Sequence, residues 1–279
     1  RLDRGESLED LQAGIASDGY GAALLGARGE NGHWEIHYYQ HKWTSTHYTL
    51  LDLKELGIAP GTPACREMVE RMFRECQLAD GGMNLAKSSL PSDAAVDGMV
   101  LNYSAWFCPA LPGLKSLARA LVLSRKAGGE FSWDRSSPAG EPHSTICVLE
   151  GLARYRSAND SDPHPAADEA VMRAEEFLLS NGLFMESDPR FRKIAWPWRY
   201  RYDLLRALDY FSASVHLRDP RLLPALDWLI SKQQPDGHWP LELIHPGNVH
   251  ALLEPKGRSS RIATLKALTI LQRFENQVD

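Results

Sequence analysis

Histidine, arginine, carboxylate and aromatic side chains recur at or near the starts of five apolar segments of the chain. Imidazoles and carboxylates exchange protons in enzymes, and guanidinium groups bind carboxylates or phosphates through paired hydrogen bonds. Aromatic faces line apolar walls or hold cations. A site that combined these groups would suit acid–base chemistry on a small, partly apolar anion.

These residues divide into two predicted roles. Acid–base roles are predicted for His47, Asp97, His143, Tyr200 and Asp203. Substrate binding is predicted for Trp43, Asn102, Trp196, Trp198, Arg199, Arg201, Tyr202, His250, Arg258 and Arg261. Thr46, Thr145, Thr264 and His245 fall in the same segments.

Structural roles compete with these assignments. Asp97 could cap its helix, and Arg201 with Asp203 could form an ion pair that locks two hairpins together. Trp34 and Trp239 are expected to pack at the corners of a repeat, whatever the function of the protein.

The elements that must position these groups follow a repeat of about 50 residues. A glycine, usually followed two places later by an aromatic residue, recurs at Gly32, Gly82, Gly129, Gly182 and Gly237, with spacings of 50, 47, 53 and 55 residues. Charged amphipathic helices are predicted before it at 64–78, 114–126, 168–179 and 221–232. More apolar helices are predicted after it at 46–56, 97–107, 144–155, 201–211 and 261–274.

Hairpins of alternating polar and apolar helices need a partner for each apolar face. Closing the row into a double ring, with the apolar helices inside, supplies that partner. An open solenoid of the HEAT type would satisfy the same period, but the long polar loop after each glycine favours the ring. We therefore predict one all-α domain over residues 1–279, an α/α toroid of about five to six hairpins whose inner helices gather the candidate residues at one end.

Short motifs carry a resemblance to known toroids. The segment Gln234-Pro235-Asp236-Gly237-His238-Trp239 resembles the glutamine–tryptophan repeat of squalene and hopene cyclases. Val96-Asp97-Gly98 and residues 143–152 resemble the starts of inner helices in protein prenyltransferase β-subunits. The resemblance covers the chain from about Gly21 onward and implies the toroid fold, with cyclisation or prenyl transfer as the associated chemistry.

Departures from these families limit what the resemblance implies. The stretch 82–87 lacks the aspartate and cysteine that hold zinc in the transferases, which leaves His143 without co-ligands. The Asp-x-Asp-Asp motif of the protonating cyclases is missing too. We therefore predict a divergent member that uses no metal and no cofactor.

Three functions remain open at this point. The first is a terpenoid cyclase-like or prenyltransferase-like enzyme acting in the ring on an anionic or isoprenoid-like substrate. The second is a lyase that acts on uronate polysaccharides, since Asn102, His143, Arg199 and Tyr200 supply the residue types such enzymes use. The third is a toroid that only binds a ligand or another protein.

Composition and charge limit the classes of binding partner that the sequence predicts. A formal net charge of −5 gives no reason to expect nucleic acid, and no apolar run is long enough for a transmembrane helix. Four cysteines without a CxxC pair are typical of reduced thiols, so a cytoplasmic location is predicted. The first residues have no apolar core, so no signal peptide is predicted in them; the sequence does not begin with methionine, so a preceding segment could have been removed.

Overall fold

The computed structural model describes residues 7–87, 92–159 and 164–275. Its α-helices are α1 (Leu8–Ser17), α2 (Gly19–Gly26), α3 (Thr46–Glu55), α4 (Pro63–Cys76), α5 (Ala94–Phe107), α6 (Gly113–Ser124), α7 (Pro142–Ala158), α8 (Pro165–Ser180), α9 (Leu204–Phe211), α10 (Leu223–Ser231) and α11 (Arg261–Glu275). Two-residue strands, β1 (Trp239–Pro240) and β2 (Ser259–Ser260), pair antiparallel before α11. Short 3₁₀ helices occupy Gly182–Phe184, Pro189–Arg192 and Pro220–Leu222.

The helices alternate between an outer and an inner position. Helices α3, α5, α7, α9 and α11 are the inner helices, and each follows an outer one along the chain. Helix α5 is buried along almost its whole length, whereas the outer helix α4 buries one face only. Neighbouring inner helices contact each other in the order α3, α5, α7, and α9 contacts α11. The predicted all-α arrangement of hairpins is confirmed.

Contacts between the first and last hairpins close the row into a ring. The Lys266 amine on α11 lies 4.0 Å from Glu55 on α3, and the Arg261 guanidinium donates to the Tyr20 hydroxyl over 3.4 Å. The ends of an open solenoid stand apart, because each repeat contacts only its neighbours. The structure is therefore the predicted α/α toroid.

Small residues let two inner helices approach closely. A Cβ built on Gly98 of α5 would lie 2.6 Å from the carbonyl oxygen of Cys147 on α7, which is far inside van der Waals contact. Gly151 faces Gly98 in the same way. The backbones of α5 and α7 therefore pack directly against each other, and no channel separates these two helices.

The repeat glycines mark corners that are built alike. Gly32, Gly129 and Gly237 have positive φ angles, which only glycine adopts freely. The indole N–H of Trp34 donates to Leu24 over 2.6 Å, and that of Trp239 donates to Leu229 over 2.7 Å. Each tryptophan is completely buried, which agrees with the expected packing role.

One polar side chain per repeat ties the corner to the inner helix, and we call these five the tie residues. Each accepts the backbone N–H of a residue from the preceding corner segment, over about 3 Å. The tie residues and their donors are Thr46 with Trp34, Asp97 with Met83, Thr145 with Phe131, Asp203 with Ala195, and Thr264 with Trp239. Aspartate and threonine thus perform the same structural task in different repeats.

No helix among the described residues is long and apolar enough to cross a membrane. The four cysteines, Cys65, Cys76, Cys108 and Cys147, are all buried and form no disulfide.

Candidate functional site

An aromatic cluster lies at the N-terminal ends of the inner helices, and we call it the mouth. It consists of Tyr39, Trp43, Tyr48, His143, Tyr200 and His245. The rings of Trp43 and Tyr200 are nearly parallel, with centroids 6.0 Å apart and an interplanar angle of 13°. His245 lies 4.3 Å from Trp43, and His143 lies 5.9 Å from Tyr200. The predicted convergence of Trp43, His143 and Tyr200 is therefore seen, although they come from three distant parts of the sequence.

The loop that follows β1 covers this end of the ring. The Trp43 indole donates to the carbonyl of Pro246 over 2.7 Å. His250 Nε2 lies 2.7 Å from the carbonyl of Thr44, and His245 Nε2 lies 3.1 Å from that of Trp198. Since a carbonyl only accepts, both nitrogens carry hydrogen. His250 thus fastens the loop to the start of α3.

Two cations flank the aromatic rings without a carboxylate partner. The exposed amine of Lys42 lies 4.9 Å from the ring centroids of both Trp43 and Tyr200. The charge of Arg201 helps to lower the pKa of His143 and of His245, which places it beside the mouth. Within residues 7–87, 92–159 and 164–275, neither cation makes a side-chain hydrogen bond or ion pair. Both are free to bind an anion.

Carboxylates cap the N-termini of two inner helices, α5 and α7, at the mouth. Asp93 accepts the N–H groups of Ala95 and Val96 at the start of α5, and Glu141 accepts that of Ser144 on α7. At these two helix starts, carboxylates therefore occupy N–H donors that could otherwise bind an anionic ligand.

Asp93 is an acid at the mouth with one carboxylate oxygen that accepts no hydrogen bond from the described residues. Its Oδ1 receives both cap hydrogen bonds, and its Oδ2 makes none with any described residue. Burial raises its pKa, helped by the charge of Glu141, although the backbone hydrogen bonds and Lys42 oppose the rise. Its own charge contributes to the raised pKa of Tyr39 and Tyr48, so it lies near the aromatic cluster. The sequence pattern did not point to Asp93, because it precedes the predicted start of its helix.

His143 is held in one neutral form. Its Nδ1 accepts the backbone N–H of Tyr202 over 2.8 Å, so the neutral ring carries its hydrogen on Nε2. Burial and the nearby charges of Arg206 and Arg201 lower its pKa to about 4. At neutral pH it is a hydrogen-bond donor rather than a proton acceptor.

His47 lies beneath the mouth and is completely buried. Its Nδ1 lies 3.2 Å from the hydroxyl of Tyr103, its Nε2 has no partner among the described residues, and burial lowers its pKa to about 3. Its ring packs against Tyr39 and Tyr48. It supports the aromatic wall from behind.

Two buried ion pairs lie below the mouth. Arg199 donates to Asp52 of α3 over 2.9 Å, with both side chains less than 5% exposed. Arg206 of α9 donates twice to Glu150 of α7, each time over 2.7 Å. The Arg199 guanidinium, predicted to bind an anion, is thus engaged by Asp52. Arg199 also has a φ of +53°, a strained conformation for a residue with a side chain.

Asp52, Glu150 and Arg206 were absent from the sequence predictions. They lie in the middle of helices whose other residues are mostly apolar, and charged residues on such a buried face must find a partner. That mismatch between charge and surroundings was the available signal. The sequence did not show which residue would pair with each charge, or at which end of the ring the ion pairs would lie.

The remaining predicted acids are tie residues. Asp97 accepts Met83 N–H through Oδ1 and lies 3.5 Å from Arg135 through Oδ2. Asp203 accepts Ala195 N–H and also caps α9 by accepting Arg206 N–H. Burial raises the pKa of each to about 7. They fasten the corners outside the aromatic cluster.

The other predicted binding residues are scattered. Tyr202 is buried and donates its hydroxyl to Leu183 over 2.7 Å. Trp196 and Trp198 are buried, with indole N–H groups that have no partner among the described residues. Arg258 and Arg261 have exposed side chains near the start of α11.

Asn102 and Trp198 line a different feature, a cavity of about 1150 Å³ at the C-terminal ends of the inner helices. We call it the charged cavity. It lies at the opposite end of the ring from the mouth, and the buried ion pairs separate the two.

No group of three histidine, cysteine or acidic side chains converges in the described part of the chain in a way that could hold a metal ion.

Solved structures of the type II terpene cyclase MstE from Scytonema are similar to this chain. The apo form aligns over 96% of this chain and 97% of that one, with 13% sequence identity and a TM-score of 0.37. A variant in complex with merosterolic acid A, its product, aligns over 95% and 96%, with 13% identity and a TM-score of 0.38. Another variant, in complex with its substrate geranylgeranyl dihydroxybenzoate, aligns over 96% of both chains, with 13% identity and a TM-score of 0.36. No protein-family profile matches the chain, and no curated protein does.

Proposed function

We propose that the protein is an enzyme that acts at the mouth on a small, partly apolar anion, by cyclisation or group transfer of the terpenoid cyclase kind. The observation that carries this proposal is the position of Asp93. It is a carboxyl group with a raised pKa, it lies near the tyrosines of the mouth, and its Oδ2 accepts no hydrogen bond from any described residue.

Asp93 would supply a proton to a double bond of the substrate. Its two backbone hydrogen bonds fix Oδ1, which leaves Oδ2 to carry the hydrogen. A raised pKa keeps a larger fraction of the carboxyl protonated near neutral pH. The faces of Tyr39, Tyr48 and Trp43 would then stabilise the positive charge that protonation creates on the substrate.

Lys42 and Arg201 would hold the anionic end of the substrate. Both lack a carboxylate partner among the described residues, and both lie beside the aromatic cluster. Arg201 suits a carboxylate or phosphate because its planar group donates two parallel hydrogen bonds. His143, neutral and protonated on Nε2, would add one further donor.

Binding and turnover test different parts of this proposal. We would screen prenyl diphosphates, polyene acids and uronate oligomers by native mass spectrometry, then look for products by chromatography. Asp93→Asn should bind a ligand as the wild type does and lose activity about a hundredfold or more, since it cannot deliver the proton. Arg201→Ala should lose binding and keep its helical spectrum, whereas Arg119→Ala, an exposed change on α6, should behave as wild type.

Several results would count against the proposal. If Asp93→Asn retained full activity, the proton source would lie elsewhere. Unfolding of Arg201→Ala would assign that residue to structure. Binding confined to uronate oligomers would favour the lyase, and no binding at all would favour a protein-binding toroid.

A further inference from the structure

The charged cavity lies outside the proposed enzyme site. Its volume of about 1150 Å³ is slightly above the roughly 300–1,000 Å³ typical of small-molecule sites. Its walls come from the C-terminal halves of α3, α5, α7 and α9, together with α8 and Lys266 of α11. It shares no lining residue with the mouth.

Most charges around the cavity neutralise one another. Four ion pairs have donor–acceptor distances between 2.5 and 3.0 Å, and three of them join different helices. They are Lys54 with Glu55, Lys266 with Asp209, Arg206 with Glu150, and Arg156 with Asp168. These pairs shape the cavity, and their charges are already compensated.

Arg154 of α7 is different. Its guanidinium lies 5.2 Å from the ring of Trp106, and it forms no hydrogen bond or ion pair with any residue that the structure describes. Trp106 is itself fixed, because its indole N–H donates to the carbonyl of Ile58 over 3.0 Å. The half-buried Arg154 is thus a positioned cation without an anion.

Glu175 of α8 is an acidic residue that has no lysine or arginine at ion-pair distance in the described chain. Its carboxylate is buried, and it accepts the hydroxyl of Tyr210 over 3.0 Å. His216 lies 3.5 Å away, and neither a lysine nor an arginine lies within ion-pair distance in the described chain. Burial raises the pKa of Glu175, although the Tyr210 hydrogen bond and the charges of His216 and Arg156 oppose the rise.

We propose that the charged cavity binds a zwitterionic ligand, the free ends of a short peptide, with the carboxylate on Arg154 and the ammonium group on Glu175. One uncompensated charge of each sign lines the same cavity, which matches a molecule that carries both. The cavity is larger than a single amino acid needs, and this favours a peptide of a few residues.

Trialanine and its two blocked forms test the proposal by isothermal titration calorimetry on the whole protein. Trialanine should bind. N-acetyl-trialanine and trialanine amide, which each lack one charge, should bind at least about tenfold more weakly, because a charge-assisted hydrogen bond is lost. Arg154→Ala should bind trialanine and its amide equally, and Glu175→Gln should bind trialanine and its acetylated form equally.

Matched changes of exposed residues, Arg119→Ala and Glu30→Gln, should leave all three affinities unchanged. Arg201→Ala, at the mouth, should also bind trialanine normally, so failure of the proposed enzyme function would be distinguishable from failure here. Equal binding of the three peptides to the wild type, or no binding of any of them, would overturn the proposal. The comparison of the three peptides uses only the wild-type protein, so it tests the proposal even if Glu175→Gln fails to fold.

Discussion

Removing the charge of Asp52 gives the sharpest test of the buried layer below the mouth. In Asp52→Asn the shape of the side chain is kept, but Arg199 remains charged and more than nine-tenths buried without a carboxylate. Breaking one partner of a buried pair costs about 3–5 kcal/mol, and the stacking of Arg199 on Trp43 at 4.8 Å does not replace it. We expect the free energy of unfolding, from urea titration followed by circular dichroism, to fall by about that amount.

An exposed pair provides the control. Arg192 lies 3.4 Å from Glu186, with side chains 40% and 79% exposed. Solvent screens such a pair, so Glu186→Gln should change stability by less than about 1 kcal/mol. If Asp52→Asn showed an equally small change, water would reach Arg199, and the description of a buried layer would be wrong.

The double variant Asp52→Leu, Arg199→Met tests whether the pair itself stabilises the fold. Burial raises the pKa of Asp52 even though Arg199 lies beside it and opposes the rise. Replacing a buried ion pair by well-packed apolar side chains is often neutral or stabilising, because burial of the two charges costs about as much as their attraction gains. The double variant should regain most of the stability that Asp52→Asn loses, and a double-mutant cycle would measure the coupling.

Three further predictions concern the packing and the tie residues. Gly98→Ala would press a methyl group against the Cys147 carbonyl at 2.6 Å, so we expect a loss of about 1–3 kcal/mol in urea titration; an unchanged midpoint would show that α5 and α7 can move apart. The pKa of Asp97 is raised from 3.8 to about 7, so the folded protein holds a proton that the unfolded chain releases, and this contribution to stability is lost as the pH rises from about 4 to about 7. Asp97→Asn should therefore gain stability relative to wild type as the pH rises from about 4 to about 7, and a constant difference over that range would contradict the raised pKa. Trp239→Phe should lower the free energy of unfolding by about 1 kcal/mol or more, because the hydrogen bond to the Leu229 carbonyl is lost. The change would be measured as a lower melting temperature, and an unchanged melting temperature would show that this hydrogen bond does not stabilise the corner.

The repeat and its helices could be predicted closely because they depend on local patterns. Glycine corners and apolar periodicity are read within a few turns of chain, and the predicted helix at 46–56 is observed as α3 (Thr46–Glu55). The packing role expected for Trp34 also follows from its place in the repeat. Caps were predicted less well: Asp97 was a candidate cap, but it is a tie residue, and Asp93 caps α5.

The candidate site was predicted only in part. Trp43, His143 and Tyr200 could be expected to meet, because residues at the starts of inner helices share one end of a ring. Their contacts could not be foreseen. Whether Arg199 is free or paired depends on Asp52, which lies 147 positions away in the chain.

Sequence alone determined that this protein is a row of helical hairpins, since that conclusion needs only the period of the repeat and the side on which apolar residues fall. The long polar loops favoured a closed ring, and contacts between the first and last hairpins showed the closure. Tertiary structure decided which charged groups are already neutralised. Asp97 and Asp203 are tied to backbone N–H groups, whereas Asp93 and Arg154 keep unused capacity. The physical reason is that the chemical availability of a charged group is set by its nearest partners and its burial, and those come from distant parts of the chain.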